Sequence, residues 1–159
     1  MTGPGQSGGP PGLARGPGLP PGLLLGIDHV GIAVRDLEAA VEDYRRLLGL
    51  EPTHRERVED QGVEEVLFPL GGSWVQLLGA LGPDTPVGRF LERRGEGVHH
   101  LAYRVSDVAE ALDALRAAGV PLVDEAPRRG SRGTLIAFVH PRGMRGVLVE
   151  LVQEASGTG

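Results

Sequence analysis

The stretch VHHLAYRV, residues 98 to 105, repeats IDHVGIAV, residues 27 to 34, at a distance of 71 residues. Aligned without gaps, Ile27 meets Val98, Asp28 meets His99, His29 meets His100 and Val34 meets Val105. Both copies are short, apolar and rich in β-branched residues, so each reads as a buried strand. Of the adjacent histidines, only His100 has a histidine counterpart in the earlier copy. A chain that says the same thing twice points to two copies of one small module.

The sequence around each copy supports this. After the first comes RDLEAAVEDYRRLLGL, where Leu37, Ala40, Val41, Tyr44, Leu47 and Leu48 recur at helical spacing. Asp36 is placed to cap that helix and Gly49 to stop it. After the second comes SDVAEALDALRAAGV, with Val108, Ala111, Leu112, Leu115 and Ala118 on one stripe, Asp107 as cap and Gly119 as stop. Strand-like segments follow in each half: 51–59, 63–70 and 73–79 in the first, 121–125, 133–140 and 146–152 in the second. Gly71-Gly72 reads as a tight turn. The closing strands correspond again, WVQLLG (74–79) matching LVELVQ (148–153), with Gln76 opposite Glu150.

The fold class expected is therefore α+β, a tandem of βαβββ modules. A unit of roughly 55 residues leaves one sheet face and one edge bare, which a domain of that size rarely tolerates. Pairing the two should bend a mixed sheet into a shared cup with helices outside. The boundaries expected are a disordered Gly/Pro-rich tail over 1–25, one domain over 26–153 and a tail over 154–159. Within the domain, module 1 runs about 26–80, a linker with a short helix near VGRFLERRG spans 81–96, and module 2 runs about 97–153. The first 22 residues hold eight Gly and six Pro, with almost nothing to bury. They lack the pattern of a secretory signal, so a soluble cytoplasmic protein is the default.

Composition closes off several chemistries. A formal charge of −5 gives no electrostatic footprint for nucleic acid or an anionic membrane. There are no cysteines, and all sixteen basic residues are arginines. Disulfides, thiolate sites, Schiff-base lysines and P-loop lysines are excluded together. Acid–base work must come from Asp, Glu, His or Tyr.

Four polar residues interrupt strands that read as buried: His29, Gln76, His100 and Glu150. Burying such a group without a partner costs about 1–3 kcal/mol, and more if it is charged. One histidine in a strand is commonly a satisfied core residue, and one Gln or Glu commonly sits at an edge with its head in water. Here each module carries His in its first strand and Gln or Glu in its last. If a pseudo-two-fold relates the modules, all four point into the cup, and two imidazoles, a carboxylate and an amide oxygen suit a divalent transition metal. His99 should face the helix side or be partly exposed. His54 reads as surface and His140 as turn chemistry. Arg128, Arg129 and Arg132, in PRRGSRG, could meet phosphates or form a solvated loop. Alternation puts Val63, Glu65 and Leu67 on one strand face and Glu64, Val66 and Phe68 on the other, without saying which faces inward.

The stretches IDHVGIAV, EDQGVEEVLF (59–68), GEGVHHLAYRV (95–105) and LIAFVHPRGMRGVLVELV (135–152) together resemble the methylmalonyl-CoA epimerases of the vicinal oxygen chelate, or glyoxalase-like, superfamily. The resemblance spans residues 26–153 and implies that superfamily's cup fold. It implies a divalent metal on His29, Gln76, His100 and Glu150, with cobalt favoured among Co, Zn, Ni and Mn. The QGVxE motif places a catalytic base at Glu65, and Glu150 would be the second. An acyl-CoA substrate, no nucleic-acid or membrane partner, and a homodimer follow from the same resemblance. The reaction implied is exchange between (2R)- and (2S)-methylmalonyl-CoA by two-base proton transfer through an enolate. Alternatives are a glyoxalase I-type lyase or isomerase, an extradiol dioxygenase, and a non-catalytic small-molecule binding module.

Overall fold

The computed structural model describes residues 16–156. Strand β1 (Leu24–Ala33) leads into α1 (Leu37–Leu48), then β2 (His54–Val58), β3 (Val63–Leu70) and β4 (Ser73–Ala80). Helix α2 (Pro86–Arg94) links to β5 (Gly97–Val105), α3 (Val108–Ala117), β6 (Arg128–Arg129), β7 (Leu135–Val139) and β8 (Val149–Gln153). All eight strands share one sheet in the order β2-β3-β4-β1-β5-β8-β7-β6. Each half has the same internal pairing: first strand parallel to last, last antiparallel to the one before it. The halves join where β1 and β5 run antiparallel. A tandem βαβββ arrangement is what the duplicated sequence led us to expect.

The helix ends follow local chemistry. Asp36 and Asp107 accept from the backbone N–H groups of Ala39 and Glu110, at 3.0 and 2.9 Å, and each such cap contributes about 1 kcal/mol. Gly49 ends α1 at φ 67°. Gly71 and Gly72 have φ of 58° and 83°, the two positive values that a two-residue hairpin turn requires.

Alternation along the strands divides the core between two faces. On the convex face α1 covers Val66, Phe68 and Leu77, with Tyr44 stacked on Phe68, and α3 covers Val105, Val139 and Leu151. On the concave face Ala102, Ile136, Phe138 and Val152 pack together, and Val87 and Leu91 of α2 close one end over Ala33, Val63 and Leu78. The sheet curls until its edges meet. The Arg132 backbone N–H, just past β6, donates to Glu56 of β2 at 3.1 Å, although these elements lie at opposite ends of the strand order.

Two expectations need adjustment. Residues 121–125 form no strand. Only Leu122 bridges to Val139, and the Asp124 carboxylate accepts the Phe138 N–H at 2.8 Å, a place that a backbone carbonyl takes in a regular ladder. The outermost strand is instead the two residues after Pro127. The expected tail over 1–25 falls partly on residues 1–15, which lie outside the described ones. Its last part belongs to the fold: Leu24 and Leu25 open β1, while Leu23 is buried and Leu19 half-buried against the α3 side of the core.

Candidate metal centre and active site

Five consecutive strands, β3, β4, β1, β5 and β8, each carry one polar residue on the concave face: Glu65, Gln76, His29, His100 and Glu150. None is more than 5% exposed. The structure thus brings together all five residues singled out in the sequence. The row has an order, with a glutamate at each end and the imidazoles in the middle.

His29 Nε2 lies 2.9 Å from His100 Nε2, and Glu150 Oε2 lies 3.3 and 2.9 Å from these same nitrogens. Gln76 donates its amide to Glu65 Oε2 at 2.7 Å, which leaves the Gln76 amide oxygen buried without a partner. A buried acceptor without a donor is uncommon enough to call for one. Donors bonded to one ion at about 2.1 Å and at right angles stand about 3.0 Å apart, so these spacings fit a shared cation. Charge supports the same conclusion. Burial alone would lower the His29 pKa, yet the negative Glu150 and Asp28 raise it to about 9. Burial works against Glu150 ionisation, but the two imidazoles hold its pKa well below the usual carboxylate range. Glu150 is thus an ionised carboxylate that draws a positive charge onto its neighbours.

Both imidazoles are held from behind by the residue before them. Asp28 Oδ2 lies 2.7 Å from His29 Nδ1, and His99 Nδ1 lies 2.9 Å from His100 Nδ1. Burial, then His100, depresses the His99 pKa to about 4. His99 is therefore neutral near pH 7 and able to accept the Nδ1–H of His100, which frees Nε2 for a cation. Such partners fix a ligand's tautomer and orientation. Strict alternation would place Asp28 and His99 on the face opposite the histidines. The β1–β5 register instead shifts between Ile27 and His29 and again between Gly31 and Ile32, leaving Asp28 and His99 as the extra residues of two bulges. Sequence spacing could not show this. Gly31 sits directly across from His100, and a Cβ there would lie 2.3 Å from the ring.

Glu65 pairs across the strands with Glu56, which also accepts from His54 Nε2 at 3.1 Å. Burial raises the Glu65 pKa, and Glu150 and Glu56 push it the same way against Ser131 and His29. Its Oε1 is buried with no hydrogen-bond partner. Glu64, the other glutamate of the motif, faces out and pairs with Arg55 at 3.0 Å. His140 caps the turn after β7 by accepting the Arg142 N–H at 3.0 Å.

Of the three loop arginines, two are engaged within the fold. Arg128 pairs with Asp124 and lies over Phe138. Arg132 reaches the other module, 3.1 Å from Asp28 Oδ2 and 4.9 Å over the Trp74 ring. Arg104 also donates to Asp28, so a carboxylate with no exposure is satisfied on three sides.

Residues 28–138 match the sequence profile of the Glyoxalase/Bleomycin resistance protein/Dioxygenase superfamily. The chain belongs to that superfamily. Among glyoxalase-superfamily relatives, ethylmalonyl-CoA/methylmalonyl-CoA epimerase of Cereibacter sphaeroides is 39% identical over 129 residues, covering 80% of this chain and 96% of the relative. The crystal structure of methylmalonyl-CoA epimerase from Mycobacterium tuberculosis matches with a TM-score of 0.83 and 42% identity, covering 87% of this chain and 93% of that one. A methylmalonyl-CoA epimerase solved in complex with methylmalonyl-CoA and NH4+ matches with a TM-score of 0.82 and 44% identity, covering 84% and 96%. The curled eight-stranded sheet is the glyoxalase fold these structures share. No helix among the described residues is long and apolar enough to cross a membrane.

Proposed function

We propose that this chain interconverts (2R)- and (2S)-methylmalonyl-CoA, with Glu65 and Glu150 as the two acid–base groups. The observation that carries this is the row of five: two buried glutamates at the ends, with a cation-suited donor set between them. Inverting a carbon between a thioester and a carboxylate needs a proton taken from one face and one returned to the other. Two carboxylates on strands β3 and β8, at opposite ends of the row, suit that task. Glu65 Oε1 is buried without a hydrogen-bond partner in the fold, and the raised pKa of this carboxyl brings its proton affinity closer to that of a carbon acid. Glu150 faces the same interior from the other module. His29, Gln76, His100 and Glu150 would hold a divalent cation, which when bound would stabilise negative charge on the thioester and carboxylate oxygens. Gln76 would do two jobs, because its amide N–H group fixes Glu65 while its oxygen, buried without a partner, would be free to complete the donor set.

The similarity to the epimerases extends the reading to cobalt as the preferred ion, a homodimer as the assembly and the cytoplasm as the compartment. The test is exchange of the methylmalonyl-CoA α-proton with deuterated solvent, before and after chelation and on readdition of Co2+, Zn2+, Ni2+ or Mn2+. Exchange should vanish with chelator and return with metal. In Glu65→Gln it should fall by about 10²–10⁴-fold from one epimer while metal binding is retained. Metal-independent ligand binding with no exchange would instead make the cup a binding module.

A further inference from the structure

The row of five has a neighbour on its Glu65 side. Strand β2 lies outermost beside β3, and Glu56 stands directly opposite Glu65 in their antiparallel register. Opposed residues of an antiparallel pair project to one face, and so do residues two apart on a strand. Glu56 and His54 therefore extend the concave face beyond Glu65. One nitrogen of His54 and one oxygen each of Glu56 and Glu65 lie within 4.8 Å of one another, with His54 Nε2 3.1 Å from Glu56 Oε2.

Like charges placed directly opposite destabilise a sheet, yet no arginine side chain balances these two carboxylates. Arg55 and Arg57 alternate with His54 and Glu56 along β2 and pair elsewhere, with Glu38, Glu64 and Glu59. Arg132 gives Glu56 only its backbone N–H, while its guanidinium goes to Asp28. Glu65 is 2% exposed, Gln76 holds its Oε2, and its Oε1 has no hydrogen-bond partner. Two facing carboxylates, one with an unpartnered buried oxygen, and an imidazole beside them leave a place for positive charge. One imidazole and two carboxylates suit a borderline divalent ion such as Zn2+. The His54 and Glu56 side chains are 32% and 38% exposed, so an ion can reach them from solvent.

We propose that His54, Glu56 and Glu65 form a second divalent-cation site, separate in its donors from His29, Gln76, His100 and Glu150, and that filling it withdraws Glu65 from proton transfer. Donors on one zinc ion stand about 3.0–3.5 Å apart, so the His54–Glu56 pair fits as it stands and Glu65 closes the set by a turn of its carboxylate. Excess zinc is then an inhibitor of a protein that its first equivalent activates. The site stands without the epimerase reading; the inhibition rests on it.

Titration calorimetry of the metal-free full chain with Zn2+ should show two equivalents, the four-donor set filling first and the three-donor set binding about 100-fold more weakly. His54→Gln and Glu56→Gln should each lose the weak equivalent and keep the tight one, and Gln at position 56 still offers an acceptor to the Arg132 N–H. His100→Ala should lose the tight equivalent and keep the weak one. Exchange of the methylmalonyl-CoA α-proton should rise through the first equivalent and fall about tenfold through the second. In His54→Gln it should rise to the wild-type maximum and stay there. His54 lies half-buried on an outer strand, so the fold should be kept, and a thermal melt checks this. A single equivalent in wild type would mean that Glu56 and Glu65 share a proton instead and would overturn the proposal, as would a weak equivalent that survives both β2 variants. Two equivalents with exchange undiminished by the second would overturn the capture of Glu65. If no metal restored exchange in wild type the epimerase reading would fall, and the calorimetric count would still decide the site.

Discussion

Gly31 lacks a side chain, and the His100 ring occupies the space one would need. In Gly31→Ala the new methyl would meet Cε1 at 2.3 Å, and the ring cannot easily swing away because it is packed edge-on between His29 and Phe138. Overpacking of this kind costs about 1–3 kcal/mol. The larger effect should be on the cation: isothermal titration with Co2+ is expected to show binding weakened by about 10–100-fold, while circular dichroism shows the fold kept. Wild-type affinity in this variant would mean that His100 is not a ligand. His99 is the subtler case. As the acceptor for His100 Nδ1, it sets the tautomer of its neighbour, so His99→Ala should weaken metal binding about 10-fold, with Asp28→Asn doing the same through His29. His99→Ala with unaltered metal affinity would leave His99 a packing residue against Phe90. The ligand candidates could be read from the sequence because duplication repeats a polar residue at matched positions. Their supporting partners could not, because a bulge cancels the two-residue period at Asp28 and again at His99.

At the scale of elements, the loop after β6 works as a clasp. Arg132 takes a left-handed backbone conformation at φ 57°, donates its N–H to Glu56, and lays its guanidinium on Asp28 and Trp74. It thereby ties the last edge of the sheet to the first. Arg132→Ala should remove one of three donors to a carboxylate with no solvent exposure, together with a cation–π contact. A loss of about 1.5–3 kcal/mol is expected, read from the urea midpoint. Trp74 is the only tryptophan in the chain, so its emission, excited at about 295 nm where the two tyrosines absorb little, should shift in the variant. An unshifted spectrum with full stability would mean that the clasp is open in solution. The clasp was illegible in the sequence, where PRRGSRG looked like a solvated or phosphate-binding loop. Its partners lie 104 residues away at Asp28 and 76 away at Glu56, and no periodicity encodes a contact of that range. The helices and most strands were legible because amphipathic spacing and caps are local. Residues 121–125 misled because an aspartate side chain, rather than a strand, met the edge of β7.

At the scale of the whole molecule, the donor set joins the two halves. His29 and Gln76 come from the first module and His100 and Glu150 from the second, so a bound cation would bridge the β1–β5 seam from the concave side. An ion that binds only the folded cup stabilises it by about 2.7 kcal/mol at a hundred times its dissociation constant. For a domain of this size that is roughly 5–10 °C in melting temperature. Calorimetric scans with excess Co2+ and with chelator should differ by that amount, and the difference should disappear in Gly31→Ala. Binding should also displace a proton. Without the cation His29 titrates at about 9, so at pH 7 it carries a proton that a metal must expel to reach Nε2. Two results follow, both with determined sign. Metal affinity should increase as pH rises from 6 to about 9, and the apparent binding enthalpy at pH 7 should vary with the ionisation enthalpy of the buffer, with a slope of about one proton released. A slope of zero with undiminished affinity would mean that the ion binds without displacing the His29 proton, and the imidazole at the centre of the first module would then lose its place as a ligand.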